Sequence, residues 1–205
     1  MQGRDSAVAL AGAELAEAAA GAGCRVLARS TFRDSESVWP VLELECGDNS
    51  HAIGFLNAAA MHDTTAPEVR DIALRLRRAH PDTLGHLKAV HAFVQAAVRF
   101  VREARETFQH TLYTLRRRGG DCDDHARAVA ALAIAGGAKA RVVGVPNAKG
   151  KVGHVAAQLF DGKRWWWSET TVAARFGEHP RAAAQRLGLV RPDITGAPEG
   201  RRLIR

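Results

Sequence analysis

The chain has 205 residues, a formal net charge of +7, and 46% hydrophobic and 25% charged residues, enough apolar material for a buried core and not the composition of a disordered chain. The positive charge invites an anionic partner. Yet the arginines are spread among Ala and Leu and the aromatics are not interleaved with a basic stripe, which does not favour nucleic-acid binding. Cys24, Cys46 and Cys122 are too few and too irregular for a disulfide framework or a zinc finger, and no apolar run is long enough to span a bilayer, so the expectation is a cytoplasmic protein in a reducing compartment.

Residues 6–20 are dense in Ala, with Leu10, Leu15, Glu14 and Glu17, and predict a short helix ended by Gly21-Ala22-Gly23. Two strands follow, Arg25–Phe32 and Val38–Cys46, the second alternating over Val41-Leu42-Glu43-Leu44-Glu45. Gly47-Asp48-Asn49-Ser50 reads as a turn. From Thr65 the period becomes helical: Thr65 is a candidate cap, Pro67 sits in the first turn, and Val69, Ile72, Ala73 and Leu76 share a face. A longer helix from Asp82 carries an apolar stripe of Leu84, Leu87, Val90, Val94, Ala97, Val98 and Val101. His86 and His91 in that helix are read as packed or surface residues.

Thr107–Gly120 reads as a polar connection that delivers the chain to Asp121-Cys122-Asp123-Asp124-His125, and Ala126–Ala135 as a buried, Ala-rich helix. Three strands follow, Ala140–Val145, Val152–Phe160 and Lys163–Ser168, the last two joined by an Asp161-Gly162 hairpin turn. A Cys at a helix start followed by an antiparallel sheet defines an α+β fold. The chain divides into an N-terminal extension of a short helix and strands (1–64), a catalytic core (65–179) and a basic C-terminal tail (180–205) with one amphipathic segment, Arg181–Leu187, and Arg201, Arg202 and Arg205 at its end.

A thiol attacks a carbonyl as the thiolate, so its surroundings decide whether it reacts. Asp121 is a good N-cap, which puts Cys122 in the first helical turn, where unpaired N–H groups and the dipole favour a negative sulfur and the oxyanion of a tetrahedral intermediate. Asp123 and Asp124 suit the same helix start as capping and supporting residues. A base and a group to orient it complete the chemistry. His154, after Gly153 at a strand start, is the candidate base. Glu169, just beyond the Trp165-Trp166-Trp167 strand, is the orienting acid, with the tryptophans as an apolar wall over the pair. A metal held by Asp121, Asp123, Asp124 and His125 is set aside because adjacent helical side chains diverge.

These residues resemble the transglutaminase-like superfamily over about His86–Thr171. The matching stretches are Gly120-Asp121-Cys122-Asp123-Asp124-His125-Ala126, Gly137-Ala138-Lys139-Ala140-Arg141-Val142-Val143, Gly153-His154-Val155 and Trp166-Trp167-Ser168-Glu169-Thr170-Thr171. The resemblance implies a papain-like core, with the Cys-bearing helix packed on an antiparallel sheet, and a triad of Cys122, His154 and Glu169, with Glu where the family usually has Asp. It implies Gln109 as an oxyanion donor, with Asp121 and Trp167 supporting the site. The expected activity is acyl transfer through a thioester, needing no metal or organic cofactor. Hydrolysis of a peptide, isopeptide or carboxamide bond in a protein or peptide substrate comes first and transglutaminase cross-linking second. Likeness to small bacterial, prophage-type members adds a third expectation, a non-catalytic structural or virion-assembly protein that docks through the basic tail and the N-terminal strands.

Overall fold

The computed structural model describes residues 2–33, 37–102, 107–147, 150–189 and 201–204, with 2–8 and 201–204 as backbone. The first helix, α1 (Gln2–Gly21), ends as expected in a turn whose Gly23 takes φ +82°, a conformation that favours glycine. The chain then enters β1 (Cys24–Arg33), which pairs antiparallel with β2 (Val38–Cys46) from Cys24 opposite Cys46 to Arg33 opposite Val38. That register joins Cys24 and Cys46 in a disulfide, where the cysteines were expected to be too few and too irregular for a disulfide framework. Pairing depends on which residues face each other across the hairpin, and sequence spacing does not reveal this.

The supposed turn at Gly47–Ser50 is the start of a helix, α2 (Asn49–Asp63). Asp48 caps it by accepting from the N–H groups of Ser50 and His51 at 2.7 and 3.0 Å, and Ala52, Phe55, Leu56, Ala59 and Ala60 form its buried face. Next comes α3 (Pro67–Ala79), whose N-cap is Ala66 rather than Thr65. Proline disfavours helical geometry in the residue before it, so the helix begins at Pro67. In α4 (Thr83–Ala97) Asp82 accepts from Gly85 N at 2.7 Å. The apolar stripe expected to run to Val101 leaves the helix at Val98 and becomes β3 (Arg99–Phe100).

The expected polar connection is ordered and largely buried. It holds β4 (Thr107–Phe108), α5 (Thr111–Arg117) and β5 (Gly119–Gly120), the last parallel to β3. The central helix, α6 (Cys122–Ala135), is buried on nearly every face from Asp123 to Ala133; its alanines let neighbouring elements approach closely. One side meets β6 (Lys139–Pro146) and β7 (Val152–Phe160), and α2, α3, α4 and α5 pack around the rest. With β8 (Trp165–Ser168) these strands form an antiparallel sheet in the order β6-β7-β8. The chain continues through α7 (Pro180–Arg186). In the C-terminal tail, β9 (Arg201–Ile204) enters the first sheet, whose order is β1-β2-β9-β4; residues 190–200 and Arg205 lie outside the described residues. No helix among the described residues is long and apolar enough to cross a membrane.

The fold is therefore α+β with a Cys-bearing helix on an antiparallel sheet. The N-terminal stretch is more than an extension, because α2 packs directly on α6. At that contact Asp63, at the end of α2, is fully buried against fully buried Arg127 of α6, with Nε and Nη2 donating at 2.9 and 2.7 Å. The N–H and hydroxyl of Thr111 donate to the same carboxylate at 2.9 and 2.7 Å.

Candidate active site

The site begins with the reason α6 starts at Cys122. Asp121 is its N-cap in extended backbone, and Asp124 reaches back to the Asp121 N–H at 3.3 Å, the return arm of a capping box. Asp124 also accepts from Gln109 N at 2.7 Å, so Gln109 is tied through its main chain to the first turn of α6. Gly120 leaves room for this: a Cβ there would lie 2.6 Å from the Asp124 side chain. Cys122 is the first helical residue and is partly exposed.

Asp123 is buried, and neither of its carboxylate oxygens has a hydrogen-bond partner among the described residues. Burial, followed by the charge of Asp121, pushes Asp123 well above the usual carboxylate range, towards a neutral acid. The polar atoms of Asp121, Cys122 and Asp123 all lie within 4.8 Å of one another. Divergence of adjacent helical residues therefore does not separate these three, because Asp121 is a cap and stands outside the helix. Asp124 and His125 do point elsewhere, to Gln109 N and to Thr170.

His154 stands on β7 opposite Val145 of β6. The β7–β8 ladder pairs Leu159 with Trp166 and Ala157 with Ser168. The ladder ends there, and Glu169 is the residue that follows it. The glutamate side chain meets the imidazole of β7: His154 Nε2 lies 2.5 Å from Glu169 Oε2, both residues being buried. The other carboxylate oxygen, Oε1, accepts from Thr171 N at 2.8 Å and Thr171 Oγ1 at 2.6 Å. Burial works against the charge on Glu169, but the hydrogen bonds from His154 and Thr171 outweigh it and hold the acid below its ordinary range. A carboxylate only accepts, so Nε2 carries the proton and Nδ1 is the basic nitrogen of the neutral ring.

The tryptophan run does not form one wall over this pair. Alternation along β8 splits it: Trp165 meets Phe160 at 5.2 Å and Arg141 at 4.3 Å, whereas Trp166 packs on Phe176 at 5.6 Å and donates to Asp161 at 2.7 Å. Trp167 lies edge-on to His179 at 4.8 Å.

Two further histidines reach the segment that carries Glu169. His91 of α4 lies 3.0 Å from Ser168 Oγ and 3.2 Å from the Ala174 carbonyl, and His125 of α6 lies 3.0 Å from Thr170 Oγ1. The sequence signal was weak, since a lone helical histidine is usually a packed residue. A separate group, His62, Asp63 and His110, also has converging polar atoms. There Asp63 is engaged by Arg127 and Thr111, while His110 accepts from Leu112 N at 3.1 Å and meets Asp63 at 3.1 Å. Burial drives His110 down to about 4, so this ring is neutral and structural.

A helix that opens on a cysteine, packed against an antiparallel sheet bearing a buried histidine–carboxylate pair, is a papain-like arrangement. Residues 70–169 match the family model of the transglutaminase-like superfamily. Among solved structures, a candidate cysteine protease from Cytophaga hutchinsonii aligns at 13% identity and a TM-score of 0.47, over 73% of this chain and 66% of its own. A TGase aligns at 13% identity and a TM-score of 0.38, over 91% of this chain and 57% of its own. The chain thus spans just under two thirds of the first and little more than half of the second. No curated protein matches it.

Proposed function

We propose that this protein is a cysteine-dependent acyl-transfer enzyme with Cys122 as nucleophile, His154 as base and Glu169 as the residue that orients His154. The observation that carries the reading is the buried 2.5 Å contact of His154 Nε2 with Glu169 on the sheet packed against the helix that opens at Cys122. With Nε2 committed to Glu169, Nδ1 is the nitrogen that takes the thiol proton. The Cys122 sulfur attacks the substrate carbonyl, and the Cys122 N–H, first in the helix, stabilises the oxyanion. Imidazolium then protonates the leaving amine as the C–N bond breaks, leaving a thioester. Water gives up a proton to His154 as it attacks, and the acid product leaves with the thiol restored.

The substrate class is a peptide, isopeptide or side-chain carboxamide, and hydrolysis is the preferred outcome because nothing in the sequence marks a second site for an amine acceptor. The test is alkylation of Cys122 by iodoacetamide at pH 6. The expected result is a rate well above that of a model thiol, falling at least tenfold in His154→Ala. A rate equal to the model thiol and unchanged in His154→Ala overturns the proposal. Incubating the enzyme with a glutamine peptide and a fluorescent primary amine then separates the two outcomes: released ammonia without amine incorporation marks hydrolysis.

A further inference from the structure

The acid of the site stands where the sheet no longer holds it. The β7–β8 ladder ends at Ser168, so Glu169 is the first residue beyond the last described pair. Its neighbours are gripped from two helices. On one side the Ser168 hydroxyl is 3.0 Å from His91 Nδ1 of α4. On the other the Thr170 hydroxyl is 3.0 Å from His125 Nδ1 of α6. All four side chains are at most 5% exposed.

The tautomer of His91 follows from its partners. Nε2 faces the Ala174 carbonyl at 3.2 Å, which only accepts, so Nε2 carries the proton and Nδ1 accepts from Ser168. Gln95, one turn further along α4, donates to the Val172 and Ala174 carbonyls at 2.8 and 3.0 Å and ties down the same segment. Burial holds both His91 and His125 below the ordinary histidine range, so both rings act as neutral hydrogen-bonding groups. An apolar side chain could fill either space without desolvating an imidazole.

We infer that His91 and His125 are positioning residues that clamp the Ser168–Thr171 segment so that Glu169 meets His154; the inference rests on the acyl-transfer reading of the site. His125 is one helical turn from Cys122, on the same side of α6. One rigid turn therefore carries the nucleophile and, through Thr170, anchors the backbone that bears the acid. Misplacement of a reacting group by about 1 Å can cost on the order of a hundredfold in rate, which gives a buried clamp at this point a functional consequence.

The test removes the hydroxyl partners and leaves the histidines in place. Ser168→Ala and Thr170→Val are nearly isosteric, so the fold is retained, and the readout is the pH profile of Cys122 alkylation. Each variant is expected to slow alkylation at pH 6 by three- to tenfold, and the pair by more, with the profile moved to higher pH. In a Glu169→Gln background the same substitutions are expected to cost nothing further, because the group they position is already lost. His125→Asn, which keeps an acceptor near the Nδ1 position, is expected to recover most of the rate lost in His125→Leu. Equal losses in the wild-type and Glu169→Gln backgrounds overturn the inference, since they mark a general effect on packing; so does an unchanged profile in the double variant. If Glu169→Gln itself leaves alkylation at the wild-type rate, the acyl-transfer reading falls and the clamp falls with it.

Discussion

Replacing Arg127 by methionine keeps much of the side-chain volume at the α2–α6 contact and removes the cation. Asp63 then keeps its two bonds from Thr111 and its contact with His110 but loses donors at 2.9 and 2.7 Å, in a site where both residues are fully buried. Breaking a buried pair by deleting one partner costs about 3–5 kcal/mol, because the remaining charge stays desolvated. In a chain of this length that corresponds to a fall in melting temperature of roughly 6–20 °C. The structure adds a pH dependence. Burial is the main reason His110 sits at about 4, and the charge of Arg127 also presses it down. Without Arg127, His110 takes up a proton more readily beside Asp63 and replaces part of the missing charge. Urea unfolding of Arg127→Met against the parent is therefore expected to show a larger loss at pH 8 than at pH 5.5. A loss below about 1 kcal/mol, the range of an exposed pair, or an equal loss at both pH values, refutes the reasoning.

Gly120→Ala puts a Cβ 2.6 Å from the Asp124 side chain, and its expected cost is about 1–3 kcal/mol of overpacking; urea unfolding reads the stability, and slower Cys122 alkylation reads the disturbed helix start. Reduction of the Cys24–Cys46 disulfide, which spans a sequence separation of 22, is expected to remove about 3 kcal/mol from the chain-entropy term, measured as a lower urea midpoint in dithiothreitol. Acid destabilisation is expected to begin below pH 6.5, before most carboxylates titrate. His110 is held at about 4 in the fold against an ordinary 6.5, so the unfolded chain binds the proton first and stability falls with pH across that window, by about 3 kcal/mol once both forms are protonated. Burial moves His91 and His125 in the same direction. In His110→Asn the early part of the acid-unfolding curve is expected to flatten, and an unchanged curve rejects the assignment.

What was legible in the sequence was what local chemistry writes there. Strand β7 lies at Val152–Phe160 as read, because an Asp-Gly turn bounds it, and Gly162 adopts φ +100° in that turn. Cys122 opens its helix because Asp121 is a cap, a signal one residue away. Features that depend on distant partners were not legible. Arg127 lies in a helix read as buried, and its partner Asp63 is 64 positions away. His91 and His125 meet partners 77 and 45 residues distant, and Cys24 finds Cys46 only through the β1–β2 register. Helix α2 was hidden because Asp48, its cap, sits in a Gly-Asp-Asn-Ser sequence that suits a turn equally well. The tryptophans misled for a related reason: three consecutive residues on a strand cannot share a face.

Glu169, the proposed orienting acid, shows how such distant partners decide its contact with His154. Compared with aspartate, Glu169 has one more torsion to freeze, so a glutamate left to itself loses more freedom on docking to an imidazole. Here that freedom is removed at the far oxygen: Thr171 binds Oε1 twice, at 2.8 and 2.6 Å, which aims Oε2 at His154. Thr171 lies two residues along the same segment whose neighbouring hydroxyls are held by His91 and His125. The longer acid reaches His154 from just beyond the end of the β7–β8 ladder, and the segment around it is fixed by hydrogen bonds from two helices. A carboxylate one methylene shorter, drawn back from His154 by about 1.5 Å, the length of a single carbon–carbon bond, would need the whole segment to move towards β7 against those bonds. The length of the acid and the grip on its backbone are thus one arrangement, and Glu169 fits because the segment that carries it is held from both sides.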